Sequence, residues 1–197
     1  MGTSSKPTLD VAVFPPRLSG ERIELTDLAE DGLADMARYS RDPRLYDHLE
    51  FAPHRTVEDT RRYLETLRRR SDGNTAHYWF IRLRETSRVI GTFGVTAIDW
   101  RIRRAEIGYG IDPALWGGGY FSETLRVALN FLFFEAGFHR VAAKTTTTNE
   151  RSIRGLERIG FRREGIMRGY YLMRDGQRVD AALLALLESE WRSAALP

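Results

Sequence analysis

Three consecutive glycines, Gly117–Gly119, stand between an alternating apolar segment and a segment with helical periodicity. Glycine is a poor residue with which to begin a helix, and it loses much conformational entropy when it is ordered. Because glycine has no Cβ, an anion can approach the backbone N–H groups of such a junction and the positive end of the following helix dipole. We therefore predict a phosphate-binding loop here. The alternative is a flexible connection without a ligand.

Neither of the two common nucleotide-binding motifs fits these glycines. No Gly-Lys-Ser/Thr follows them, which excludes a P-loop. The segment 117–122 reads G-x-G-x-x-S and so lacks the third glycine of the dinucleotide fingerprint, and its strand comes late in the chain. If the loop binds a ligand, we therefore expect a pyrophosphate that is bound by neither of these patterns.

A carboxylate lies in the strand that precedes the glycines. In the segment AEIGYGI, strand alternation puts Glu106 on the face opposite to Ala105 and Ile107. A carboxylate so close to the apolar core is expected to point into a cleft. The alternative is a surface glutamate on an edge strand.

Composition excludes several kinds of chemistry. The chain has no cysteine, which excludes disulfides, zinc–thiolate sites and a cysteine nucleophile, and its four histidines lack metal spacing, so we expect no metal. No apolar run approaches the roughly 20 residues of a membrane span, and we expect a cytoplasmic protein that binds neither membrane nor nucleic acid. Arginine accounts for most of the 30 basic residues, and the net charge is +3. This indicates genomic composition and a solvated surface or, alternatively, a binding face for phosphate or acidic polypeptide.

Hydrophobic periodicity predicts an α/β domain without repeats, over 17–192, after a flexible leader over 1–16. The predicted strands cover 21–28, 77–86, 88–99, 103–113 and 139–148, with two more around an Asp175-Gly176 turn. Four helices are predicted. The first lies near Leu33, the second begins at a capping box of Thr56 and Asp59, the third covers 120–136, and the fourth runs from Asn149 to Gly160. The segment 178–187 is almost entirely apolar and should lie inside the sheet.

Three segments carry a family resemblance: AEIGYGIDPALWGGGYFSETL, HRVAAKTTTTNERSIRGLERIGFRREG and DGQRVDAALLALLESEW. In this order they resemble the GNAT superfamily of acyl-CoA-dependent N-acyltransferases, most closely the RimJ/RimL type that acetylates ribosomal-protein N-termini. The resemblance covers about 17–191. It implies a mixed central sheet of six to seven strands flanked by about four helices, with acetyl-CoA as co-substrate and no metal.

The glycine loop corresponds to the family pattern Q/R-x-x-G-x-G/A, which wraps the coenzyme A pyrophosphate. Gly119 keeps the essential glycine, whereas Trp116 replaces Gln/Arg and Phe121 replaces the final small residue. Both departures leave the backbone amides available. The coenzyme-binding residues that the resemblance implies are Tyr109, Ile111, Trp116, Gly117, Gly118, Gly119, Tyr120, Phe121, Ser122, Asn149 and Ser152.

The resemblance also implies catalytic roles. Glu106 would be the base that removes a proton from the amine through water. Asn149 would bind the pantetheine arm or the bound amide. The alternative is a helix N-cap, and one residue could serve in both ways. Many members carry a tyrosine as general acid at the position of Leu156, and leucine cannot donate a proton. We expect Ser152, one helical turn earlier on the same face, to be the acid; the alternative is an ordinary capping or exposed serine.

The implied activity is direct transfer of an acetyl group from acetyl-CoA to a primary amine in a ternary complex, since no cysteine can carry the acyl group. A protein N-terminal α-amine is the expected acceptor, with a ribosomal protein as one candidate. Alternatives are a small amine such as an aminoglycoside, polyamine or amino acid, and a non-catalytic coenzyme-binding regulatory module. A homodimer is compatible with the resemblance.

The acceptor pocket is expected between the helices before residue 71 and the hairpin 166–178. Its candidate lining residues are Tyr39, Tyr46, Tyr170 and Tyr171, although tyrosines often pack at the edge of a core. An acidic substrate tail would suit three arginines of the hairpin, Arg168, Arg174 and Arg178, which a solvated hairpin explains equally well.

Overall fold

A computed structural model describes residues 13–195 of the chain. In chain order its strands and helices are β1 Arg17–Ser19, β2 Ile23–Asp27, α1 Leu33–Tyr39, α2 Val57–Ser71, β3 His77–Leu83, β4 Val89–Asp99, β5 Arg104–Ile111, α3 Tyr120–Asn130, β6 Arg140–Thr146, α4 Glu150–Ile159, β7 Arg162–Leu172, β8 Arg178–Leu187 and α5 Glu188–Ala195. The strands form one sheet in the order β1-β2-β3-β4-β5-β6-β8-β7. β5 and β6 run parallel, and the other neighbouring strands are antiparallel.

The predicted mixed sheet and α/β class are confirmed, with eight strands instead of six to seven and five helices instead of about four among the described residues. The additional strand β1 has three residues, which is too short to show an alternating pattern. The apolar strand β8 lies inside the sheet, between β6 and β7, as its composition predicts. The capping box is also confirmed, because Thr56 Oγ1 accepts from the Asp59 amide and Asp59 Oδ2 accepts from the Thr56 amide.

Most of the predicted leader, 1–12, lies outside the described residues. The last part of the predicted leader, residues 13–16, contacts β3 in the structure. Phe14 stacks on His77 with ring centroids 4.8 Å apart, and Trp79 Nε1 donates to Pro15 O at 2.9 Å. Partial burial of the Phe14 ring and the hydrogen bond to Pro15 offset part of the conformational entropy that ordering this segment costs.

The helix predicted over 120–136 changes form at Phe131. α3 ends at Asn130, and Phe131–Glu135 form a π-helical turn in which the Ala136 amide donates to Phe131 O at 2.9 Å. Phe131, Leu132 and Phe133 of this turn are all buried in the larger core, so the change of helical form coincides with three successive large core side chains.

Each face of the sheet carries a separate hydrophobic core. The larger core lies between the sheet and α3, α4 and α5, and it includes Leu125, Leu129, Leu156 and Trp191. The smaller core lies under α1 and α2, where Met36 and Leu64 pack against Tyr78 and Phe80. The helices therefore hold the sheet from both sides around the strands that carry the candidate site.

The sheet opens between β5 and β6. Their pairing runs from Arg104↔Arg140 to Ile107↔Ala143 and stops there, although β5 continues to Ile111 and β6 to Thr146. Residues 108–111 thus make no ladder with β6. Because the two strands are parallel, the helices that follow them, α3 and α4, both begin at this open end of the pair.

Candidate functional site

The glycine loop joins β5 to α3 at the open end of the strand pair. Gly117 and Gly119 have φ angles of +85° and +81°, a left-handed conformation that favours glycine, and Gly119 is the N-cap of α3. All three glycines are exposed. The Gly118 amide donates within the loop to Leu115 O at 3.3 Å.

Several amides of this junction remain available. Within residues 13–195, the N–H groups of Gly117, Gly119, Tyr120, Phe121 and Ser122 donate no backbone or side-chain hydrogen bond. They surround the positive end of α3, which is the arrangement that binds phosphate groups. The loop amides that the sequence assigned to the pyrophosphate are therefore free to bind it, except that of Gly118.

Asp112 fixes the start of the loop. Its side chain is almost fully buried, accepts from the Ala114 amide at 3.0 Å, and pairs with Arg38 Nη1 of α1 at 2.9 Å. Trp116, the departure from the family pattern, is held from both sides: its Nε1 donates to Ile111 O at 2.9 Å, and the Arg151 guanidinium lies 3.8 Å from its ring centroid. Trp116 thus links the loop to the first turn of α4.

Phe121, the second departure, packs between the two helices. Its ring lies against that of Tyr109 with centroids 4.7 Å apart. A Cβ at Gly155 of α4 would lie 2.6 Å from Phe121 Cε1, so only glycine allows this approach of α3 and α4. The side chain of Ile111 is buried in the larger core.

Glu106 lies where the pairing of β5 and β6 is about to end, and Lys144 Nζ is 3.0 Å from its Oε2. The same ammonium donates a hydrogen bond to the Tyr170 hydroxyl and lies 4.5 Å from the centroid of the Tyr170 ring. Burial alone would lower the pKa of Lys144, but the hydrogen bonds to Tyr170 and Glu106 outweigh burial and raise that pKa. Lys144 is thus a cation that compensates the Glu106 charge.

A cleft of about 350 Å³ opens beside this ion pair. Its walls come from β4, β5, β6, β7 and β8 and include Ala97, Ile98, Asp99, Arg104, Ala105, Glu106, Arg140, Ala142, Lys144, Met167 and Leu183. The expectation that Glu106 points into a cleft is therefore met, and the side chain is about one-third exposed.

A second pair of polar groups lies on the other face of β5. The Tyr109 hydroxyl is 2.7 Å from Ser152 Oγ, and either atom can be the donor. Burial raises the pKa of Tyr109 well above its ordinary value, although the hydrogen bond to Ser152 acts in the opposite direction. Tyr109 is therefore a neutral phenol at ordinary pH, and the pair can donate a proton.

Asn149 and Leu156, the other two residues of the α4 region that the sequence singled out, lie in different surroundings. Asn149 caps the helix: its Oδ1 accepts from the Ser152 amide at 3.3 Å, and its Nδ2 donates to Thr145 Oγ1 at 2.9 Å. Leu156 is fully buried in the larger core. The N-cap interpretation of Asn149 is thus confirmed, and Leu156 is a core residue.

The predicted acceptor tyrosines divide into two groups. Tyr39 and Tyr46 are buried in the molecule, so the alternative of core packing holds for them. Tyr170 and Tyr171 pack edge to face with centroids 4.9 Å apart beside Lys144. The main-chain amide of Leu172 donates to Glu50 Oε1 at 3.0 Å, which connects this hairpin to the segment after α1.

The hairpin arginines of the sequence prediction are exposed, and Arg178 Nη1 donates to Gly169 O at 3.5 Å. A histidine that the sequence did not single out lies nearby, because His48 Nδ1 is 3.0 Å from Thr146 Oγ1 at the end of β6.

In the part of the chain that the structure describes, no group of three or more His, Asp or Glu side chains could hold a metal ion. Over the same residues, no helix has the length and apolar character to cross a membrane.

The sequence and the fold match known proteins. The family model "Acetyltransferase (GNAT) domain" matches residues 22–162. An N-acetyltransferase named p20 from Bacillus licheniformis, described as uncharacterized, is 30% identical over 180 residues, which are 91% of this chain and 97% of that protein. The [Ribosomal protein uS5]-alanine N-acetyltransferase of Escherichia coli is 35% identical over 85 residues, 43% of either chain.

A solved structure supports the fold. The crystal structure of a GCN5-related N-acetyltransferase from Brucella melitensis superimposes with a TM-score of 0.81 and 21% identity, covering 94% of this chain and 86% of that chain. At this identity the likeness concerns the fold alone.

Proposed function

Because the chain belongs to the GNAT acetyltransferase family and is thus an acyltransferase, we propose that it acetylates the N-terminal α-amine of a protein. One observation carries the proposal. The opening between β5 and β6 has a carboxylate, Glu106, on one face and a proton donor, the Tyr109–Ser152 pair, on the other. A base that takes the amine proton and an acid that protonates the leaving sulfur would each accelerate acetyl transfer from a thioester to an ammonium-forming amine at neutral pH.

GNAT acetyltransferases use acetyl-CoA, which supplies the acetyl group as a thioester. Two features of this chain suit that molecule. The free amides of the glycine loop would bind its pyrophosphate. Residues 108–111 pair with β4 on one side, so only those of their N–H and C=O groups that point to the open β6 side would bind the amides of the pantetheine arm, as an added strand does.

Glu106 and the Tyr109–Ser152 pair, on opposite faces of β5, suggest a path for the protons of the reaction. Glu106 Oε2 is held by Lys144, whereas Oε1 has no partner among the described residues and would accept the amine proton through water. As the N–C bond forms, backbone N–H groups of the open strand edge would stabilise the negative carbonyl oxygen. The C–S bond then breaks, and the leaving sulfur would take its proton from the Tyr109–Ser152 pair.

An α-amine suits this site better than a lysine side chain. Its pKa is roughly 7.7–8.0 against about 10.4 for lysine, so its deprotonation at neutral pH costs less free energy. A carboxylate that acts through water is a sufficient base for such an amine. The named activity of the Escherichia coli relative, acetylation of an alanine of ribosomal protein uS5, supports a ribosomal protein as the acceptor.

A small amine is the second candidate. The cleft beside Glu106 measures about 350 Å³, which is near the lower limit for small-molecule pockets. An amino acid or a polyamine would fit a space of that size, and so would the first residues of a peptide.

An acceptor screen tests the proposal. Thiol release from acetyl-CoA is measured with a lysine-free peptide that has a free N-terminus, with its N-acetylated form, with an N-acetylated peptide that contains lysine, and with spermidine. We expect turnover with the first peptide and none with the second, with acetylation at the α-amine by mass spectrometry. Turnover only with spermidine, or with no amine at all, would contradict the proposed acceptor.

The proton donor gives a separate prediction. Ser152→Ala and Tyr109→Phe should each lower kcat roughly ten- to a thousandfold, within or somewhat below the usual range for general acid–base catalysis. The double variant should be little worse than the more severe single one, because the two hydroxyls form one hydrogen-bonded unit. Coenzyme affinity by calorimetry should change little. If affinity and kcat fall equally, the pair is a binding group only.

A further inference from the structure

Arg22, in the turn between β1 and β2, reaches the glycine loop from a distant part of the chain. Its Nη1 donates to Gly118 O at 2.9 Å, and its Nε donates to Glu123 Oε2 of α3 at 2.9 Å. Its guanidinium lies 4.7 Å from the centroid of the Tyr120 ring, and its main-chain amide donates to Glu123 Oε1 at 2.6 Å. One arginine therefore contacts the loop, the first residue of α3 and a carboxylate in the first turn.

These contacts fix the loop conformation. Gly118 lies between the two glycines that have positive φ angles, and its carbonyl oxygen is the atom that Arg22 holds. A loop of three exposed glycines has many alternative conformations, so a fixed carbonyl in its middle lowers the entropy that coenzyme binding must otherwise remove.

The same arginine neutralises a charge that would oppose an anion. Burial alone would raise the pKa of Glu123, but hydrogen bonds from Arg22 and from the Ile23 amide outweigh it and lower that pKa. Glu123 is thus ionised in the first turn of α3, close to the free amides. Without Arg22, this carboxylate would repel a phosphate at the loop.

One donor of Arg22 remains free. Within the described residues Nη2 donates to no acceptor, and it lies 3.1 Å from the position that a Cβ would take at Gly119. The side chain is about half exposed, so a ligand at the glycine loop can reach it from solvent.

We infer that Arg22 positions the glycine loop and donates from Nη2 to the diphosphate of the coenzyme. The inference rests on the proposed coenzyme site. It assigns a determinant of coenzyme affinity to a residue nearly 100 positions away from the loop, outside the three segments that resemble the family.

Calorimetry with coenzyme A and with dephospho-coenzyme A, which lacks the 3′-phosphate, tests the inference. Arg22→Gln should weaken both ligands about tenfold or more, as loss of a charge-assisted hydrogen bond predicts. Arg22→Lys, which keeps the charge but loses the fork, should lie between this variant and the wild type. The wild-type Kd should also rise more steeply with salt than that of Arg22→Gln.

Arg192→Gln is the matched control. Arg192 Nε pairs with Glu188 at 2.7 Å and its guanidinium lies 4.7 Å from the Phe134 ring centroid, so it has similar local contacts on α5. Its coenzyme affinity should stay within about twofold of the wild type, because it lies away from the loop. Thermal unfolding confirms that each variant is folded, and Arg22→Lys serves if Arg22→Gln is not.

The outcomes separate the inference from the site on which it rests. If Gly119→Val abolishes binding while Arg22→Gln and Arg22→Lys bind both ligands normally, the inference on Arg22 is wrong and the coenzyme site stands. A loss seen with coenzyme A but absent with dephospho-coenzyme A would place Arg22 at the 3′-phosphate and contradict the diphosphate contact. Normal affinity in a folded Gly119→Val protein would contradict the coenzyme site itself.

Discussion

Replacing Gly119 by valine is expected to reduce coenzyme A affinity by about 100-fold or more, because the change acts on the loop in two ways. Gly119 has a φ angle of +81°, and a residue with a side chain pays roughly 1–2 kcal/mol or more in that region, most of all when it is β-branched. Its new Cβ would also lie 3.1 Å from Arg22 Nη2, in the space in which we place the phosphate. Calorimetry with coenzyme A measures the effect.

Gly137→Val is the matched control for the backbone strain. Gly137 has a φ angle of +69°, it lies beyond the other end of α3, and a Cβ added there would have no neighbouring atom within 4 Å. This variant should lose stability to a similar degree and keep its coenzyme affinity. Equal losses of affinity in the two variants would mean that destabilisation, and not the loop, explains the result.

Glu106→Gln is expected to lower turnover by roughly 100-fold at neutral pH, toward the lower end of the range for loss of a general base. Glutamine keeps the shape of the side chain and can still contact Lys144, but it cannot accept a proton at ordinary pH. Coenzyme affinity should persist, because Glu106 forms its ion pair with Lys144 and its main-chain oxygen accepts from Thr96 Oγ1, and both partners lie outside the glycine loop.

Glu164→Gln controls for the loss of an ion pair in the same region. Glu164 of β7 forms a bidentate pair with Arg140, which also lines the cleft, and it has no place in the proposed proton path. We expect turnover within about twofold of the wild type, since exposed ion pairs contribute little. A large loss here would show that the cleft depends on its charges in general and not on Glu106 as a base.

Helix ends and tight turns could be predicted from the sequence, because a few neighbouring residues determine them. The Thr56–Asp59 capping box, Gly160 as the left-handed C-cap of α4, and the turn at Gly176 with its φ of +84° each depend on a few neighbouring residues. The three-residue β1 and the π-helical turn after Asn130 carry no periodic signal, because tertiary packing decides them.

Individual residues of the candidate site could be predicted from the sequence, whereas the residues with which they interact could not. Glu106, Ser152 and the glycine loop can be found from motif position. The partners of Glu106 and Ser152, Lys144 and Tyr109, depend on the register of a parallel strand pair and on the packing of α4, which no local pattern encodes. Lys144 did carry a signal, as a single charge within the otherwise apolar middle of β6.

The most direct test of acetyl transfer at this opening is the ratio of wild-type to Glu106→Gln kcat/KM for a peptide α-amine, measured from about pH 6.5 to 9.5 so that it spans the amine pKa. If Glu106 accepts the amine proton, the ratio should be largest at low pH. It should fall toward one above the amine pKa of roughly 7.7–8.0, because a free amine needs no base. A ratio that stays constant over the whole range would contradict the account, since Glu106 would then only position the acceptor or support the strand.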